Sequence, residues 1–338
     1  MKLRVGISGY GLAGRSFHAP MLSATNFEVA AILTNNDVRK RHAIEDYPQV
    51  KIVSSIQELC TQGIDLLVIA SANQVHSSQA MESIKARIPV VVDKPMGRNL
   101  SETKEILDAA RSANVAITTY FNRKWDSDTL TLKRVIRDGY IGKVLRMDSR
   151  FERFRPVLNP QSWRENNSIA EGGGILLDLQ PHLISTALDC FGPAQLKNAR
   201  VRSVRGGADD DAVLMLAHEN GVESILSASA VVGAPGPRLR VIGSEGALVI
   251  DDLDPQESLL RTGVFPQEGQ WQQPTASNAL IYRGDKIEKF EADHGNYCTF
   301  YSLVHNAIKN RTPMPVSSEE ILDVARIIDL AREMSNLA

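Results

Sequence analysis

An amine, a carboxylate and an imidazole stand at positions of the chain where their chemistry could be used. Lys94 follows closely on the apolar run at residues 90–92, and Asp178 and His182 follow three consecutive glycines at residues 172–174. Side chains of these three types can exchange protons with a reacting group. Removing a proton and a hydride from a secondary alcohol would require such a set. The sequence therefore indicates a type of reaction more clearly than it indicates a substrate.

The surroundings of Lys94 favour a functional role for its amine. The lysine lies at the carboxyl end of a predicted apolar strand, which is the edge where open α/β sheets bind their ligands. Pro95 follows it, fixes the turn and keeps the chain from continuing as a strand. A lysine with only a structural role is more often exposed on a helix, so we interpret Lys94 as a site residue.

Asp178 and His182 are four residues apart and on a helix would share one face. Pro181, between them, would kink such a helix, and the glycine run before them indicates a close approach of the backbone at the mouth of a pocket. An isolated pair of this kind is more often an ordinary hydrogen bond than a catalytic device. Because Lys94 and a glycine-rich loop occur in the same chain, we favour the catalytic interpretation.

Residues 9–14 match the pattern G-x-G-x-x-G directly after a predicted strand and directly before a helical pattern. In that context the first glycine permits a tight turn, the second admits a diphosphate close to the backbone, and the third lets the helix pack on the strand. A tight turn without a ligand is the alternative, but the strand–turn–helix setting favours dinucleotide binding. The predicted contacts are Gly9, Tyr10, Gly11, Leu12, Ala13 and Gly14.

The end of the second predicted strand bears on which dinucleotide is bound. Thr34 and Asn35 stand where NAD-binding chains place an acid for the ribose 2′-hydroxyl, and Arg39 follows them. Neutral donors and a cation suit a 2′-phosphate, which an acid would repel. In the alternative interpretation, Arg39 and Lys40 only face solvent and Asp37 binds the ribose. We favour NADP as the cofactor over NAD.

The first part of the chain predicts an α/β fold that opens with a Rossmann domain at residues 1–122, built on a doubly wound parallel sheet. A helix is predicted to begin with Ser101 as its N-cap. Stretches of helical length separate five short β-rich runs, at residues 3–8, 28–33, 65–70, 90–93 and 115–119.

Residues 123–338 are predicted to form an α+β domain for substrate binding and oligomerisation. Its strand-like runs follow one another with short turns between them, which is typical of an antiparallel sheet. Residues 265–277 are predicted as a surface loop, and a capping box at residues 317–320 predicts a helix that could pack back on the first domain. The strand-like runs lie at residues 200–204, 212–217, 224–232, 238–242 and 247–250.

The bulk composition excludes several classes of partner. The formal net charge is −2 and no long run of like charge occurs, which argues against nucleic acid and membrane surfaces. No signal peptide and no apolar run of about 20 residues is seen, so we expect a cytoplasmic protein. The three cysteines are far apart and match no zinc-site spacing, which predicts free thiols and no metal: Cys60, Cys190 and Cys298.

Taken together, these motifs resemble the Gfo/Idh/MocA oxidoreductase family over essentially the full chain. The glycine loop, residues 71–76, residues 93–95 and the later aspartate–histidine pair carry the resemblance. The chain departs from the family pattern at Asp93, where a glutamate is usual, and at residues 180–181, where a glycine commonly precedes the histidine. The first departure affects a group that orients rather than reacts, and the second affects the catalytic segment itself.

The resemblance implies roles for individual residues. Lys94 and His182 would handle the proton, and Asp178 would hold the substrate hydroxyl or the histidine. His18 is expected to be structural. The implied cofactor contacts outside the glycine loop and the second strand end are Ser71, Asn73, His76, Lys94, Pro95 and Asn122. The implied substrate contacts are Lys94, Arg123, Trp163, Arg164, Asp178 and His182.

Residues 15–20, 122–126 and 153–156 are similar to one bacterial subgroup of the family, which includes NADP-dependent inositol dehydrogenases. That similarity implies a cyclic polyol as substrate, and the family implies a homodimer or homotetramer paired through the antiparallel sheet. Two alternatives stay open: a sugar or aldehyde acted on in the reductive direction, or an NADP-binding regulator without catalysis. Regulators of this family are altered at the lysine and aspartate–histidine positions, which are intact here.

Overall fold

The computed structural model describes residues 2–272 and 276–336. The chain divides into two compact units. The first unit consists of the chain up to Phe121, a segment that starts at Gln256, and Asn296–Leu322. The second unit consists of Asn122–Pro255, a segment that ends at Gly295, and the chain from Asp323 onward.

Up to Phe121 the chain alternates between strand and helix. A π-helix at Ala13–His18 and a 3-10 turn at Asn73–Val75 stand directly before two of the α-helices. The elements are β1 (Leu3–Ser8), α1 (Ala19–Ser23), β2 (Phe27–Leu33), α2 (Asp37–Asp46), β3 (Lys51–Val53), α3 (Ile56–Cys60), β4 (Leu66–Ile69), α4 (His76–Lys85), β5 (Val90–Val92), α5 (Leu100–Ala113) and β6 (Ile117–Thr119).

These strands form one parallel sheet in the order β3-β2-β1-β4-β5-β6. Every residue of β4 and β5 is buried, as expected for strands covered by helices on both faces. The strand order reverses between β1 and β4, so the loops after these two strands border a crevice at the carboxyl edge of the sheet. The predicted doubly wound parallel sheet is confirmed, with the short strand β3 as an addition.

After Asn122 the chain changes character and most strands follow one another directly. A 3-10 turn at Asn122–Trp125 opens this part. The elements are α6 (Ser127–Arg137), β7 (Val144–Glu152), α7 (Trp163–Asn166), α8 (Ile175–Asp178), α9 (Gln180–Phe191), β8 (Ala194–Arg202), β9 (Asp211–His218), β10 (Glu223–Ser229), β11 (Leu239–Gly243), β12 (Ala247–Ile250), α10 (Gln256–Arg261), β13 (Ala279–Arg283), β14 (Lys286–Phe290), α11 (Cys298–Asn310) and α12 (Ser318–Met334).

The second unit contains one sheet in the order β14-β13-β12-β11-β7-β10-β9-β8. All neighbouring strands are antiparallel except β7 and β10, which are parallel. The predicted largely antiparallel sheet is confirmed. The sequence pattern does not predict β7, β13 or β14. Of the predicted surface loop at residues 265–277, residues 273–275 lie outside the described residues.

The strand β7 lies inside the sheet although one of its faces is charged. Side chains alternate along a strand, so Arg146, Asp148, Arg150 and Glu152 share a face. Their charges alternate in sign, and the neighbouring pairs are 3.2, 3.6 and 3.9 Å apart. Phe151 lies on the opposite, buried face. Because this face is charged, the sequence of β7 contains no apolar run that would predict a strand.

The helix ends test two predictions about capping. Asn99, and not Ser101, is the N-cap of α5, because its side chain accepts the backbone N–H of Glu102 at 2.8 Å. Both residue types can cap a helix, and the extended backbone at Asn99 decides between them. The cap at residue 317 is confirmed, since Ser317 Oγ accepts the backbone N–H of Glu320 at 3.2 Å. In the described part of the chain, no helix has the length and apolar character needed to cross a membrane.

Candidate active site

The loop between β1 and the π-helix needs its glycines for different steric reasons. Gly9 has a φ of 92°, and a Cβ there would lie 2.7 Å from the carbonyl oxygen of Ala70. A Cβ on Gly14 would lie 2.0 Å from the carbonyl oxygen of Gly9. A Cβ on Gly11 would meet nothing closer than the guanidinium carbon of Arg39, at 3.6 Å. The loop is closed at both ends and open at its middle glycine, which is the shape that a diphosphate requires.

The side chains of Tyr10 and Leu12 differ in burial. Tyr10 is buried, and its hydroxyl donates to Asp46 at 2.9 Å, where Arg15 also donates at 2.7 Å. Burial and the hydrogen bond with Asp46 raise the pKa of Tyr10, so the hydroxyl keeps its proton. Leu12 is exposed, and Ala13 begins the π-helix. The Tyr10 side chain anchors the loop to the end of α2, so any contact with a cofactor would come from its backbone.

The carboxylate nearest to the end of β2 in sequence is already engaged. Asp37 lies 2.9 Å from the amine of Lys40, and this hydrogen bond lowers the pKa of Asp37. Thr34 is buried, and the amide of Asn35 donates to a backbone carbonyl at 3.3 Å. Among the described residues, no carboxylate lies within ion-pair distance of Arg39, whose guanidinium borders the space over the glycine loop. The alternative in which Asp37 binds a ribose is therefore weakened.

Lys94 lies in the turn after β5, and both of its neighbours are held. Asp93 accepts the backbone N–H of Lys94 at 2.8 Å, and the peptide bond between Lys94 and Pro95 is cis. The carbonyl oxygen of Pro95 lies 2.8 Å from Nδ1 of His76, and Nε2 of that ring lies 3.2 Å from the carbonyl oxygen of Ser71. Burial lowers the pKa of His76, so the ring is neutral at pH 7. The structure thus brings together four predicted site residues.

Asp178 and His182 lie on two successive helices, so the shared face that their spacing would give on one continuous helix is not formed. α8 ends at Asp178 and α9 begins at Gln180, with Leu179 between them. The interruption expected from Pro181 falls just before it, because the proline lies in the first turn of α9, where a missing N–H is tolerated. The imidazole is therefore carried by α9, which is largely buried, while the side chain of Asp178 remains 31% exposed.

Asp209, which no sequence motif marks, holds the start of α8. Its carboxylate accepts the backbone N–H of Leu176 at 2.7 Å, and its carbonyl accepts that of Ile175 at 2.8 Å. Burial raises the pKa of Asp209 to about 6, although the hydrogen bond from Leu176 opposes this shift. A Cβ on Gly174 would lie 1.8 Å from the same carboxylate, so the glycine run makes room for it. The three consecutive acids at residues 209–211 were the available signal.

Arg164 connects α7 with Asp178. Its Nε lies 3.3 Å from Oδ1 of Asp178, and its guanidinium lies over the ring of Trp163 at 4.5 Å from the centroid. The structure therefore brings these three predicted substrate residues together within the second unit. Arg164 and Asp178 border a pocket whose other charged lining residues are Arg153, Arg155, Glu165, Arg205, Asp209 and Asp210.

Arg123 and His182 both lie against the ring of Phe151. The guanidinium carbon of Arg123 lies 5.2 Å from the ring centroid of Phe151, and that of Arg238 lies 4.2 Å from it. The ring of His182 meets Phe151 edge-on at 6.4 Å between centroids. Arg123 is buried and donates to Asp126 at 3.2 Å. Phe151 and Arg238 are candidates that sequence reasoning missed: β7, which carries Phe151, was not predicted, and Arg238 belongs to a predicted strand run in which no motif marks it.

Two further predicted residues each open a 3-10 turn. Asn73 opens the 3-10 turn that leads into α4, and Asn122 opens the turn that contains Arg123.

No group of three or more His, Cys, Asp or Glu side chains in the described residues could hold a metal ion. The three cysteines are free thiols, and burial raises the pKa of Cys190 and Cys298 to about 12.

The chain is similar to known oxidoreductases along its whole length. The oxidoreductase family with an NAD-binding Rossmann fold, GFO/IDH/MocA, matches residues 3–121, and the GFO/IDH/MocA C-terminal domain matches residues 129–249. The scyllo-inositol 2-dehydrogenase (NADP(+)) IolW of Bacillus subtilis is 30% identical, over 98% of this chain and 94% of its own. The uncharacterized oxidoreductase YdgJ of Escherichia coli is 34% identical, over 98% and 96%. The solved structure of YPO2259 from Yersinia pestis has a TM-score of 0.88 at 32% identity, over 99% and 95%.

We expect Asp209→Asn to stabilise the protein at pH 8 and much less at pH 4. The pKa of this acid is raised from 3.8 to about 6, so between these values the folded state holds a proton that the unfolded state has released. The free energy of unfolding therefore falls as pH rises through that window. Asparagine keeps an acceptor for the N–H of Leu176 without the charge. We therefore expect the free energy of unfolding of the variant to exceed that of wild type by about 1–3 kcal/mol at pH 8. Urea unfolding of both proteins at the two pH values measures this, and an equal difference at both would contradict it.

Proposed function

The chain belongs to the GFO/IDH/MocA family of oxidoreductases, and from that premise we propose that it transfers a hydride between NADP and a secondary hydroxyl or keto group of an inositol. The observation that carries the proposal is the turn of Lys94, on the same sheet edge as the glycine loop. The intact lysine and aspartate–histidine positions favour catalysis over a regulator without turnover. The inositol dehydrogenase among the full-length relatives supports the substrate class.

The proposed mechanism assigns one task to each side chain. When bound, the nicotinamide supplies the hydride chemistry. During oxidation, His182 takes the proton of the substrate hydroxyl, and the amine of Lys94 polarises the same oxygen. Asp178, oriented by Arg164 at 3.3 Å, accepts a hydrogen bond from a substrate hydroxyl. Arg123 and Trp163 border the substrate. Positioning of this kind lowers the barrier because the reacting groups no longer lose freedom during the reaction.

The residues around the glycine loop fit a dinucleotide, and we assign its form as NADP. The open side of Gly11 leaves room for a diphosphate, and Arg39 lies where it could pair with a 2′-phosphate. Asp37 forms an ion pair with Lys40, so its carboxylate is less available to bind a ribose hydroxyl. Thr34, which is buried at the end of β2, adds no negative charge that would repel a 2′-phosphate. The further proposed cofactor contacts are Asn35, Ser71, Asn73, His76, Lys94, Pro95 and Asn122.

We propose residues 1–122 as the cofactor domain and residues 123–338 as the substrate domain of a cytoplasmic homodimer or homotetramer, with the segment from Gln256 and Asn296–Leu322 belonging to the first compact unit. The charged face of β7 supports pairing between copies. Its alternating sequence of Arg146, Asp148, Arg150 and Glu152 is complementary to itself when two copies run antiparallel. A hollow on the same sheet offers further contact area, lined by Arg150, Gly236, Pro237, Arg240, Ala247, Val249 and Tyr282.

The function is tested by a screen of inositols, aldoses and small carbonyls with both cofactors, followed through the absorbance of the reduced nicotinamide. We expect the fastest turnover with an inositol and NADP. Lys94→Ala and His182→Ala should each lower kcat roughly 10²–10⁴-fold, the usual effect of losing a positioned acid or base. Lys104→Ala, on the exposed face of α5, is the matched control and should behave as wild type. Cofactor binding without turnover on any compound would favour the regulator, and faster turnover of a sugar or aldehyde would replace the inositol.

The cofactor assignment is tested by Arg39→Ala. Loss of a charge-assisted contact to the 2′-phosphate should weaken NADP binding about 10–100-fold and leave NAD binding nearly unchanged. Lys51→Ala is the matched control, because Lys51 is an exposed cation of β3 that is assigned no contact with the cofactor. Cofactor titration followed by protein fluorescence measures the affinities of the wild-type protein and of both variants for NADP and for NAD. Equal losses for both dinucleotides in Arg39→Ala would argue against the 2′-phosphate contact.

The proposed interface is tested by Arg150→Glu, which places three negative charges in a row on the face of β7. Like charges would then face each other in the pair, so we expect the mass measured by light scattering to fall to that of one chain. Arg111→Glu, at an exposed position of α5 in the first unit, should leave the mass unchanged. An unaltered assembly in Arg150→Glu would remove β7 from the interface.

A further inference from the structure

Two buried histidines flank the turn that carries Lys94, one on each side of the lysine. Before it, Oδ1 of Asp93 lies 3.8 Å from Nε2 of His18, within ion-pair distance but beyond hydrogen-bond distance. After it, the carbonyl oxygen of Pro95 lies 2.8 Å from Nδ1 of His76. The two histidines are 0% and 1% exposed. Neither ring is placed to act on bulk solvent, and both face groups next to the same lysine.

The first histidine is held in turn by aromatic residues. Nδ1 of His18 lies 2.6 Å from the hydroxyl of Tyr301, and its ring centroid lies 4.3 Å from that of Tyr120. Burial raises the pKa of Tyr301 well above its usual value, so its hydroxyl keeps its proton in this hydrogen bond. Nε2, on the other side of the ring, faces the carboxylate of Asp93, which also accepts the N–H of Lys94. His18 therefore lies between Tyr301 and the carboxylate that holds the backbone of the lysine.

The second histidine ties the turn to the neighbouring strand end. Nε2 of His76 lies 3.2 Å from the carbonyl oxygen of Ser71, which follows β4, while its Nδ1 faces Pro95. A neutral imidazole has one N–H for these two oxygens, and the shorter distance favours the bond to Pro95. His76 therefore connects the residue after Lys94 to the loop after the adjacent strand.

A lysine reaches its target through a flexible four-carbon stem, so its aim depends on how firmly its backbone is held. We propose that His18 and His76 are positioning residues that fix the backbone on both sides of Lys94 and thereby aim its amine. The inference rests on the proposed role of Lys94 as a proton-handling group. It gives His18, expected from the sequence to be merely structural, a specific task.

The first test compares kcat with the KM for NADP in five variants. His18→Leu and His76→Leu remove the ring nitrogens, His18→Gln and His76→Asn retain an N–H, and Tyr301→Phe removes one oxygen atom. Loss of aim should lower kcat about 10–100-fold in both leucine variants, and His18→Leu, which alters no proposed cofactor contact, should change the KM for NADP by less than about 3-fold. The amide variants should recover part of kcat. If the leucine variants do not fold, Tyr301→Phe and His76→Asn decide, and each should show a smaller fall in kcat.

The second test does not need turnover. Reductive methylation with ¹³C-formaldehyde gives each lysine a carbon resonance, and the resonance of Lys94 is identified by its absence in Lys94→Arg. This resonance should shift or broaden in His18→Leu, His76→Leu and Tyr301→Phe, because the amine is no longer held in one environment. If the wild-type protein turns over no compound, the proposed function fails, while this measurement still decides whether the histidines position the lysine.

His218→Leu is the matched control. His218 is a buried histidine of the second unit whose ring nitrogens lie 2.9 Å from the carbonyl oxygen of Gly192 and 2.9 Å from the hydroxyl of Ser224. It should lose stability as the test variants do but leave the Lys94 resonance unchanged. The proposal is overturned if the folded test variants keep both kcat and this resonance, or if His218→Leu alters the resonance to the same extent.

Discussion

The carboxylate of Asp93 is the interaction on which the turn after β5 depends. Burial alone would raise its pKa, yet the imidazole of His18 and the nearby charge of Lys94 lower it well below its usual range. An unpaired charge in a protein interior costs several kcal/mol, so this carboxylate is retained only because its neighbours compensate it. One of them is the backbone N–H of the lysine itself. The position of the proposed catalytic amine is therefore coupled to the charge of the residue before it.

The second unit also uses a buried carboxylate to hold a segment in place, but there the effect of burial on the pKa exceeds that of the stabilising contacts. Asp209 holds the first turn of α8, as Asp93 holds the turn of Lys94, and each segment carries a proposed catalytic residue. At Asp209 burial prevails over the stabilising contacts, and the pKa rises to about 6. The support of Asp178 is therefore close to titration at neutral pH, whereas the support of Lys94 stays ionised. The two halves of the proposed site would respond differently to acid.

Features that depend on neighbouring residues could be predicted from the sequence, and features that depend on distant partners could not. The glycine loop and the placement of Lys94 at a strand end follow from apolar runs and from the rule that parallel strands end at one edge. The charged face of β7 finds its partners on its own and adjacent strands, which no apolar pattern reveals. The start of α8 is held by Asp209, 31 residues after Asp178, and the break between Asp178 and His182 lies directly before Pro181, which has no N–H to continue a helix. Spacing alone therefore suggested a single helix.

The break at Leu179 has a consequence for how this scaffold could diversify. A continuous helix would tie the carboxylate and the imidazole to one rigid rod, and any rotation that moved one would move the other. Here the carboxylate belongs to the short helix α8, which Arg164 contacts and Asp209 caps, while the imidazole belongs to the largely buried helix α9. If Asp178 and His182 have the proposed roles, mutations near Arg164 would alter which molecules are accepted while leaving the imidazole on α9 in place. Residues 153–174 would then be the segment to vary in laboratory evolution of new specificities.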